Sequence, residues 1–155
     1  MAELTGVLDQ AGVEYELLSH GHTERAVDEA EALGLPPRAV AKTLVLTTNE
    51  GHLRVVLPAS ERIDLRKVRD HIDGGKESVH LATEDELARD YPEFELGAVP
   101  PFGGAGRDRV VVDSRVAEQP SVVLEAGTHE QSVRLATADL LELTKAEVVD
   151  ICKEE

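Results

Sequence analysis

One short apolar run constrains the fold of this chain more than any other stretch. Residues 40–46 read Val-Ala-Lys-Thr-Leu-Val-Leu, and the turn sequence Asn49-Glu50-Gly51 follows shortly after them. Small, apolar and β-branched residues bounded by a turn predict a β-strand. Side chains alternate between the two faces of a strand, so Lys42 shares the more apolar face with Val40 and Leu44.

The position of Lys42 on that face has two interpretations. A long lysine side chain can extend past its neighbours until its ammonium group reaches water. Alternatively, the ammonium group is held inside the protein for chemistry, where the loss of hydration lowers its pKa. The residues of the strand by themselves leave both interpretations open.

Apolar spacing and turn residues predict a mixture of helices and strands along the rest of the chain. Predicted strands lie at 13–18, 40–46, 53–57, 78–81, 110–112, 122–124 and 133–135. Predicted helices begin at Leu4, after caps at Thr23, Asp64, Thr83 and Thr137, and at a further capping box of Thr144 and Glu147. Because several strands are joined by tight turns, we expect a mixed α/β fold of the α+β kind, with a largely antiparallel sheet wrapped by helices.

Length and charge narrow the class of protein. The 155 residues are enough to bury a core, and they predict a single domain over 1–155. The formal net charge is −15, with acidic residues spread along the chain, so the sequence as a whole lacks the basic footprint of a nucleic-acid-binding protein, and no DNA partner is expected. A charge of this size also suggests adaptation to a high-salt cytoplasm, where salt screens the repulsion between acidic side chains.

The sequence also limits the compartment and the metal chemistry. Cys152 is the single cysteine, so we expect neither an internal disulfide nor a cysteine cluster for zinc. The six histidines lack the spacing of a metal-binding motif, and we predict no metal site. Neither a secretory signal nor an apolar run of membrane-spanning length is seen, which predicts a cytoplasmic protein without a membrane partner.

The first candidate for a functional site is a stiff, irregular stretch from Pro92 to Asp108. It contains the run Gly97-Ala98-Val99-Pro100-Pro101. Glycine lets a backbone approach a ligand closely, and two prolines leave a loop little conformational freedom to lose. Such a loop can orient a carbonyl group or a ribose, but it can equally be a rigid connector.

The second candidate is Gly127-Thr128-His129, which lies between two predicted strands. A histidine beside a glycine turn can polarise a substrate or accept a proton, and it can also be an ordinary surface histidine. Asp113, at the end of a strand, is either a ligand or base, or an acid that begins a turn. The sequence has no nucleophile elbow, no Walker A motif and no dinucleotide-binding glycine motif after a strand.

Five stretches, taken in order, resemble the YbaK-type aminoacyl-tRNA deacylases. That family includes the editing insertion domain of bacterial prolyl-tRNA synthetases and its free-standing relatives. The stretches are Val40-Ala41-Lys42-Thr43-Leu44, Val55-Val56-Leu57-Pro58, Gly97-Ala98-Val99-Pro100-Pro101, Val110-Val111-Val112-Asp113 and Ala126-Gly127. The resemblance runs from about His20 to Ile151 and implies a free-standing member of the family.

The resemblance implies a sheet curled into a barrel-like core with surrounding helices. It also implies an enzyme that hydrolyses the ester between a wrong amino acid and the 3′-terminal adenosine of a tRNA, in support of translation fidelity. No metal or organic cofactor is expected. In several members of the family a hydroxyl group of the terminal ribose is thought to help activate the water, which would explain why no Ser-His-Asp set is visible in the sequence. The family's catalytic strand lysine matches Lys42, and its G-x-x-x-P loop matches Gly97 and Pro101. The other expected substrate-binding residues are Ala98, Val99, Pro100, Gly127 and His129.

Two other functions stay open at this point. One is a protein of the same fold that binds tRNA or a synthetase without turnover, and the other is an acidic small-molecule-binding protein unrelated to tRNA. The charge of −15 opposes tRNA binding at ordinary ionic strength. The expected partner is the 3′ acceptor end of aminoacyl-tRNA. We therefore expect either that a synthetase presents this tRNA, or that a basic patch on one predicted helix takes the acceptor stem, with candidates Arg62, Arg66, Lys67 and Arg69.

Overall fold

The computed structural model describes residues 2–49, 51–73, 78–103 and 108–154 of the chain. Its helices are α1 (Ala2–Gln10), α2 (Ala26–Leu33), α3 (Leu65–Asp73), α4 (Glu84–Asp90), α5 (Ser114–Ala117) and α6 (Thr137–Thr144). Its strands are β1 (Tyr15–Ser19), β2 (Ala41–Thr48), β3 (Gly51–Pro58), β4 (His80–Leu81), β5 (Arg109–Asp113), β6 (Ser121–Thr128), β7 (Gln131–Ala136) and β8 (Glu147–Val149). Within these ranges, no helix has both the length and the apolar character needed to cross a membrane.

The strands form two sheets. The first has three antiparallel strands in the order β1-β7-β6. The second has five strands in the order β4-β2-β3-β5-β8, in which β2 pairs antiparallel with β3 and β4, while β5 runs parallel to β3 and β8. The prediction of a mixed α/β fold is therefore confirmed. The described strands form two sheets, not the single largely antiparallel one that was predicted, and two of the four strand pairs in the larger sheet are parallel.

The predicted closure of the sheet into a barrel is wrong for the described residues. A single parallel bridge, between Val40 and Val123, joins the two sheets where β2 and β6 approach each other. Beyond it the strands do not pair, because the segment 94–99 occupies the space between them. Phe94 and Val99 pack on Val45 of β2, and the backbone of the same segment bonds to β6.

The main core lies between the two sheets, where residues of β2, β3 and β5 face residues of β6 and β7, with α1, α5 and α6 closing it. A second apolar cluster covers the other face of the five-stranded sheet under α3. A third cluster, which contains Ala26 and Ala30 of α2, covers the seam at Val40 and Val123. Helix α2 therefore lies over the place where the two sheets meet.

Local signals placed most helices correctly. Thr83 and Glu86 form the predicted capping box of α4, and Gly34 ends α2 with a left-handed φ of 70°. The predicted cap at Thr23 is wrong, because α2 begins after Arg25 and the Thr23 N–H instead donates to the carbonyl of His129 at 2.9 Å. Two parts of the sequence predictions lie outside the described residues. They are residues 104–107 of the irregular stretch and Glu50 of the turn Asn49-Glu50-Gly51.

The predicted last helix is also wrong. Residues 147–149 form β8, which adds a parallel strand to β5 at the edge of the five-stranded sheet. Arg109 of β5 donates to both carboxylate oxygens of Glu147, and the buried carboxylate of Asp113 accepts the N–H of Ile151 at 2.9 Å. These contacts with a distant segment outweigh the local preference for a helix.

Candidate functional site

A buried arginine of β3 holds the proline loop in place. Arg54 is 1% exposed and donates from Nη1 to the carbonyl of Pro100 at 2.8 Å and from Nη2 to that of Gly103 at 2.9 Å. Its Nε donates to Asp108 at 2.8 Å, so one guanidinium group ties together both described ends of the loop. The sequence analysis did not single out Arg54. Its position as the one charged residue among apolar neighbours of β3 could have indicated its role. An arginine buried at such a position needs hydrogen-bonding or charged partners.

Most of the loop is buried, which limits what it can offer to a substrate. The side chains of Ala98 and Val99 lie in the interior, and Pro100 and Pro101 are buried as well. Gly97 is exposed and has a φ of 83°, a left-handed conformation that favours glycine. The loop therefore presents its backbone at Gly97 rather than a row of side chains.

His129 closes the other side of this loop. Its ring Nε2 lies 2.5 Å from the carbonyl oxygen of Leu96, and its backbone N–H donates to Glu95 at 2.6 Å. Because a carbonyl oxygen only accepts, Nε2 must carry a proton, and Nδ1 of a neutral ring is then an acceptor. A methyl group on Gly97 would lie 3.4 Å from the ring of His129, so the loop and the histidine are in contact.

Gly127 lets the segment 94–97 pack against the hairpin because it has no side chain. It has a φ of 93°, and a Cβ atom there would lie 2.9 Å from the ring of Phe94. The carbonyl of Gly127 accepts the N–H of Glu95 at 2.9 Å. The structure thus brings Gly97, Gly127 and His129 together at the end of the β6–β7 hairpin.

Beneath α2 lies a group of buried and partly buried polar side chains that was not predicted from the sequence. We name it the acid–histidine cluster; its members are His20, Glu29, Glu125, His129 and Ser132. Ser132 is hydrogen-bonded to Glu29 and lies 2.9 Å from Nε2 of His20. Glu125 and Ser132 are paired across β6 and β7, while Glu29 reaches down from the helix. No local sequence pattern links these residues, so only the fold could reveal the cluster.

Several polar atoms of the acid–histidine cluster lack a hydrogen bond. They are Oε1 of Glu29, Oε2 of Glu125 and Nδ1 of His129. The last two lie 3.1 Å apart but are not aligned for a hydrogen bond. Burial, with the nearby carboxylates of Glu29, Glu24 and Glu95, raises the pKa of Glu125 to about 9. Glu125 therefore keeps its proton at neutral pH, with its Oε2 3.1 Å from Nδ1 of His129.

A cavity of about 380 Å³ opens beside the acid–histidine cluster. All of its lining residues are polar or charged: Ser19, His20, Glu95, Thr128, Glu130 and Gln131. His20 and Glu95 connect it to the cluster and to the loop, since His20 contacts Ser132 and Glu95 contacts His129. A ligand in this open cavity would meet several hydrogen-bonding side chains.

No contact of the described residues joins Lys42 to the Gly97 loop, to the acid–histidine cluster or to the polar cavity. Lys42 is partly buried on the face of β2 between the α2 cluster, which contains Val40, and the α3 cluster, which contains Leu44. Burial lowers the pKa of Lys42, and the charged or polar groups that act on it are Cys152, Arg62 and Glu61. It forms no hydrogen bond and no ion pair with a described residue.

Asp113 has a structural role. Its carboxylate is fully buried and accepts the backbone N–H groups of Arg115 and Ile151, which begins α5 and fixes the segment after β8. This agrees with the interpretation of an acid that begins a turn. Among the described residues, no group of three or more histidine, cysteine or acidic side chains is arranged to hold a metal ion.

The comparisons with known proteins identify the class. A family model described as an aminoacyl-tRNA editing domain matches residues 20–143. The chain belongs to this family. The resemblance inferred from the five sequence stretches, and with it the prediction of an aminoacyl-tRNA editing enzyme, is confirmed.

Individual relatives agree with this assignment. A multifunctional Ser/Thr-tRNA deacylase, ProXp-y of Escherichia coli strain K12, is 28% identical over 153 residues, which cover 95% of this chain and 89% of the relative. The proline–tRNA ligase of Trichlorobacter lovleyi is 28% identical over 126 residues, which are 79% of this chain and 21% of the ligase. A solved structure provisionally assigned as a trans-editing enzyme for prolyl-tRNA synthetase has a TM-score of 0.89 and 25% identity, over 99% of this chain and 96% of that one.

Proposed function

We propose that this protein hydrolyses the ester bond of mischarged aminoacyl-tRNA in trans, in the cytoplasm. The observation that carries the proposal is the contact of the Gly97 loop with His129 and Gly127, beside a polar cavity, in a chain of the editing family. The relation to proline–tRNA ligases supports a synthetase as a second partner.

In the proposed reaction a water oxygen attacks the carbonyl carbon of the ester. The bond between that carbon and the ribose oxygen breaks, and the ribose oxygen takes a proton. The products are a free amino acid and a tRNA with a free terminal hydroxyl group. A neighbouring hydroxyl of the ribose orients the water, which agrees with the need for no serine nucleophile.

The exposed loop backbone and Lys42 stabilise the carbonyl oxygen in this proposal. The N–H of Gly97 forms no hydrogen bond with a described residue, so it is free to donate to a developing oxyanion. Lys42 also has no partner to give up, and its long side chain can turn toward a bound ester. His129 positions the loop, since its Nε2 is bonded to the carbonyl of Leu96.

The lining of the cavity favours a small polar amino acid as the one removed. Its six lining residues all carry polar or charged side chains, which can hydrogen-bond a hydroxyl group of the substrate. A site built to hydrogen-bond a hydroxyl group rejects analogues that lack it far better than an apolar pocket rejects an extra methylene. Serine and threonine esters therefore fit this cavity better than alanine esters.

The test is a panel of aminoacyl-tRNAs incubated with the pure protein. We expect release of serine and threonine from mischarged tRNA, slower release of alanine, and little release of proline from its own tRNA. Binding without release would instead support the module that has no turnover. Neither binding nor release would support the small-molecule-binding protein and overturn the proposal.

Lys42→Ala tests the role of the lysine. We expect at least a tenfold fall in the deacylation rate, because one stabilising charge contributes about two to three powers of ten at such sites. Lys42→Met, which keeps the apolar stem, should show the same loss, and Arg134→Ala at an exposed ion pair should show none. Unfolding in urea checks that all three variants fold; full activity of a folded Lys42→Ala variant would remove the lysine from the mechanism.

A further inference from the structure

The described arginines of this acidic protein fall into two groups. Those of the first group are in ion pairs: Arg25, Arg54, Arg89, Arg109, Arg115 and Arg134. Arg62, Arg66 and Arg69 form no ion pair and no side-chain hydrogen bond with a described residue, and neither does Arg38 on a separate turn. With a net charge of −15, arginines that form no ion pair are unexpected.

Three of these unpaired arginines lie on one surface. The N–H of Lys153 donates to the carbonyl of Arg62 at 2.8 Å, which places these two side chains on neighbouring extended segments. Arg62 and Lys153 line one groove of about 360 Å³. Arg66, Arg69 and Lys153 line an adjoining groove of about 780 Å³ along α3.

This surface reaches the lysine of β2. Lys42 lines neither groove, but Arg62 and Glu61 are both close enough to act on its charge, in opposite directions. We name the set the basic strip, and its members are Lys42, Arg62, Arg66, Arg69 and Lys153. The strip runs from the first turn of α3, across the C-terminal segment, to the lysine that the proposed function places at the ester.

The acids nearby are engaged with other groups. Asp150 and Glu154 lie 3.2 Å and 3.7 Å from the ammonium of Lys67, which also donates to the carbonyl of Cys152. Asp64 accepts the N–H of Arg66 at the start of α3, and Glu61 accepts from Ser60. Lys67 is thus occupied. Glu61, Asp64 and Glu154 keep their negative charge and line the same two grooves, but none of them forms an ion pair with a cation of the basic strip. Those cations therefore have no ion-pair partner to give up to an external anion.

We propose that the basic strip binds the phosphodiester backbone of the 3′ acceptor end of tRNA and leads it to Lys42; this rests on the proposed function. Guanidinium groups present planar pairs of donors that match phosphate oxygens. A series of cations that leads to the reacting ester fits a single strand of RNA, in which phosphates follow one another at regular spacing. The strip would also explain how a protein of this charge approaches tRNA without a large basic surface.

The test compares two triple variants of equal charge. Arg62→Gln/Arg66→Gln/Arg69→Gln removes the unpaired arginines, and Arg25→Gln/Arg89→Gln/Arg134→Gln removes three arginines from exposed ion pairs. The probe is an RNA minihelix that carries no amino acid and has a single-stranded 3′ overhang. Its binding is measured by fluorescence anisotropy. Unfolding in urea checks that both variants fold.

For the first variant we expect binding at least tenfold weaker and a salt dependence whose slope falls by about 2, since each single-strand phosphate contact contributes about 0.7. The control variant loses the same three positive charges but keeps the arginines of the basic strip. It should therefore bind the RNA within about threefold of the parent. Deacylation by the first variant should show a raised KM with kcat kept at saturating tRNA. Equal losses in both variants, or no loss in the first, would overturn the proposal.

The outcomes separate this proposal from the proposed function. Strip-dependent RNA binding without any deacylation would support the strip and refute the proposed function. Deacylation with an unchanged KM in the first variant would refute the strip alone. If the first variant binds a synthetase more weakly than the parent does but binds RNA equally well, the strip contacts a protein partner. That outcome would refute the RNA proposal.

Discussion

At the scale of single residues, Arg54 shows how a buried charge can hold a functional loop. Its guanidinium group satisfies three acceptors, two of them backbone carbonyls that no regular secondary structure would otherwise pair. Tyr91 adds to this site, because its ring lies 4.9 Å from the guanidinium carbon and its hydroxyl bonds to Asp108. Burial and the hydrogen bond to Asp108 raise the pKa of Tyr91, so its hydroxyl stays protonated and donates.

Arg54→Lys should therefore destabilise the protein. A lysine keeps the charge but cannot reach three acceptors in a fork, and we expect a loss of about 2–4 kcal/mol in the free energy of unfolding. Urea unfolding measures the loss, and hydrogen exchange should show weaker protection in the loop. The matched change Arg134→Lys, at an exposed pair with Glu16, should cost less than about 0.5 kcal/mol. Equal costs at both positions would contradict the role of Arg54.

Glu125 makes stability depend on pH. Its pKa is raised to about 9 in the folded protein, against 4.5 for an ordinary glutamate. Below 4.5 both the folded and the unfolded chain hold the proton; between 4.5 and about 9 only the folded chain holds it, so stability falls as pH rises. Above that range the folded chain has lost the proton too, and the fall is complete.

Glu125→Gln should remove this dependence. We expect the variant to gain about 1–3 kcal/mol over the parent at pH 8 and nothing near pH 4, because glutamine has no proton to lose. Chemical unfolding at several pH values measures it. Glu16→Gln, at an exposed carboxylate of β1, is the control and should show no such difference. A gain of equal size at both ends of the pH range would show that charge is not the cause.

At the scale of elements, the β6–β7 hairpin and the segment 94–97 act as one unit. The carbonyl of Gly127 accepts the backbone N–H of Glu95, and the backbone N–H of His129 donates to the side-chain carboxylate of Glu95. The ring of Phe94 lies against the bare Cα of Gly127. The position of the loop is thus set by a turn about thirty residues later in the chain.

Gly127→Ala should disturb this unit. Alanine would have to adopt a φ of 93° and place its methyl group 2.9 Å from Phe94, and we expect a cost of about 2–4 kcal/mol together with lower deacylation. Gly12→Ala separates the two causes, because its φ is 70° but no atom lies within 4 Å of the added Cβ. It should cost about 1–2 kcal/mol. If both variants lose the same stability, contact with Phe94 contributes nothing.

At the scale of the whole molecule, the net charge of −15 disfavours the compact state through repulsion between acids. Salt weakens that repulsion, since the screening length falls from about 10 Å at 0.1 M to about 3 Å at 1 M. If the charge is an adaptation to a high-salt cytoplasm, the free energy of unfolding should rise steadily with KCl up to molar concentrations. Equal stability at low and molar KCl, measured by urea unfolding, would contradict that adaptation.

The sequence by itself determined what depends on near neighbours in the chain. The β2–β3 hairpin, the capping box of α4 and the glycine end of α2 follow from turn residues, caps and alternation within a few positions. The family could also be inferred, because its motifs are short runs kept in order. The same locality explains the error at residues 147–149, where a distant strand edge overrides a local helix signal.

Only the tertiary structure decided which groups meet across long separations. Glu29, Glu125 and Ser132 come from three elements, and no spacing in the chain predicts that they share one buried cluster. The same holds for Arg54 under the proline loop and for the grouping of Arg62 with Lys153. Burial and electrostatic environment are properties of the packed chain, so the raised pKa of Glu125 and the unpaired state of Lys42 exist only once the two sheets, α2 and α3 have come together.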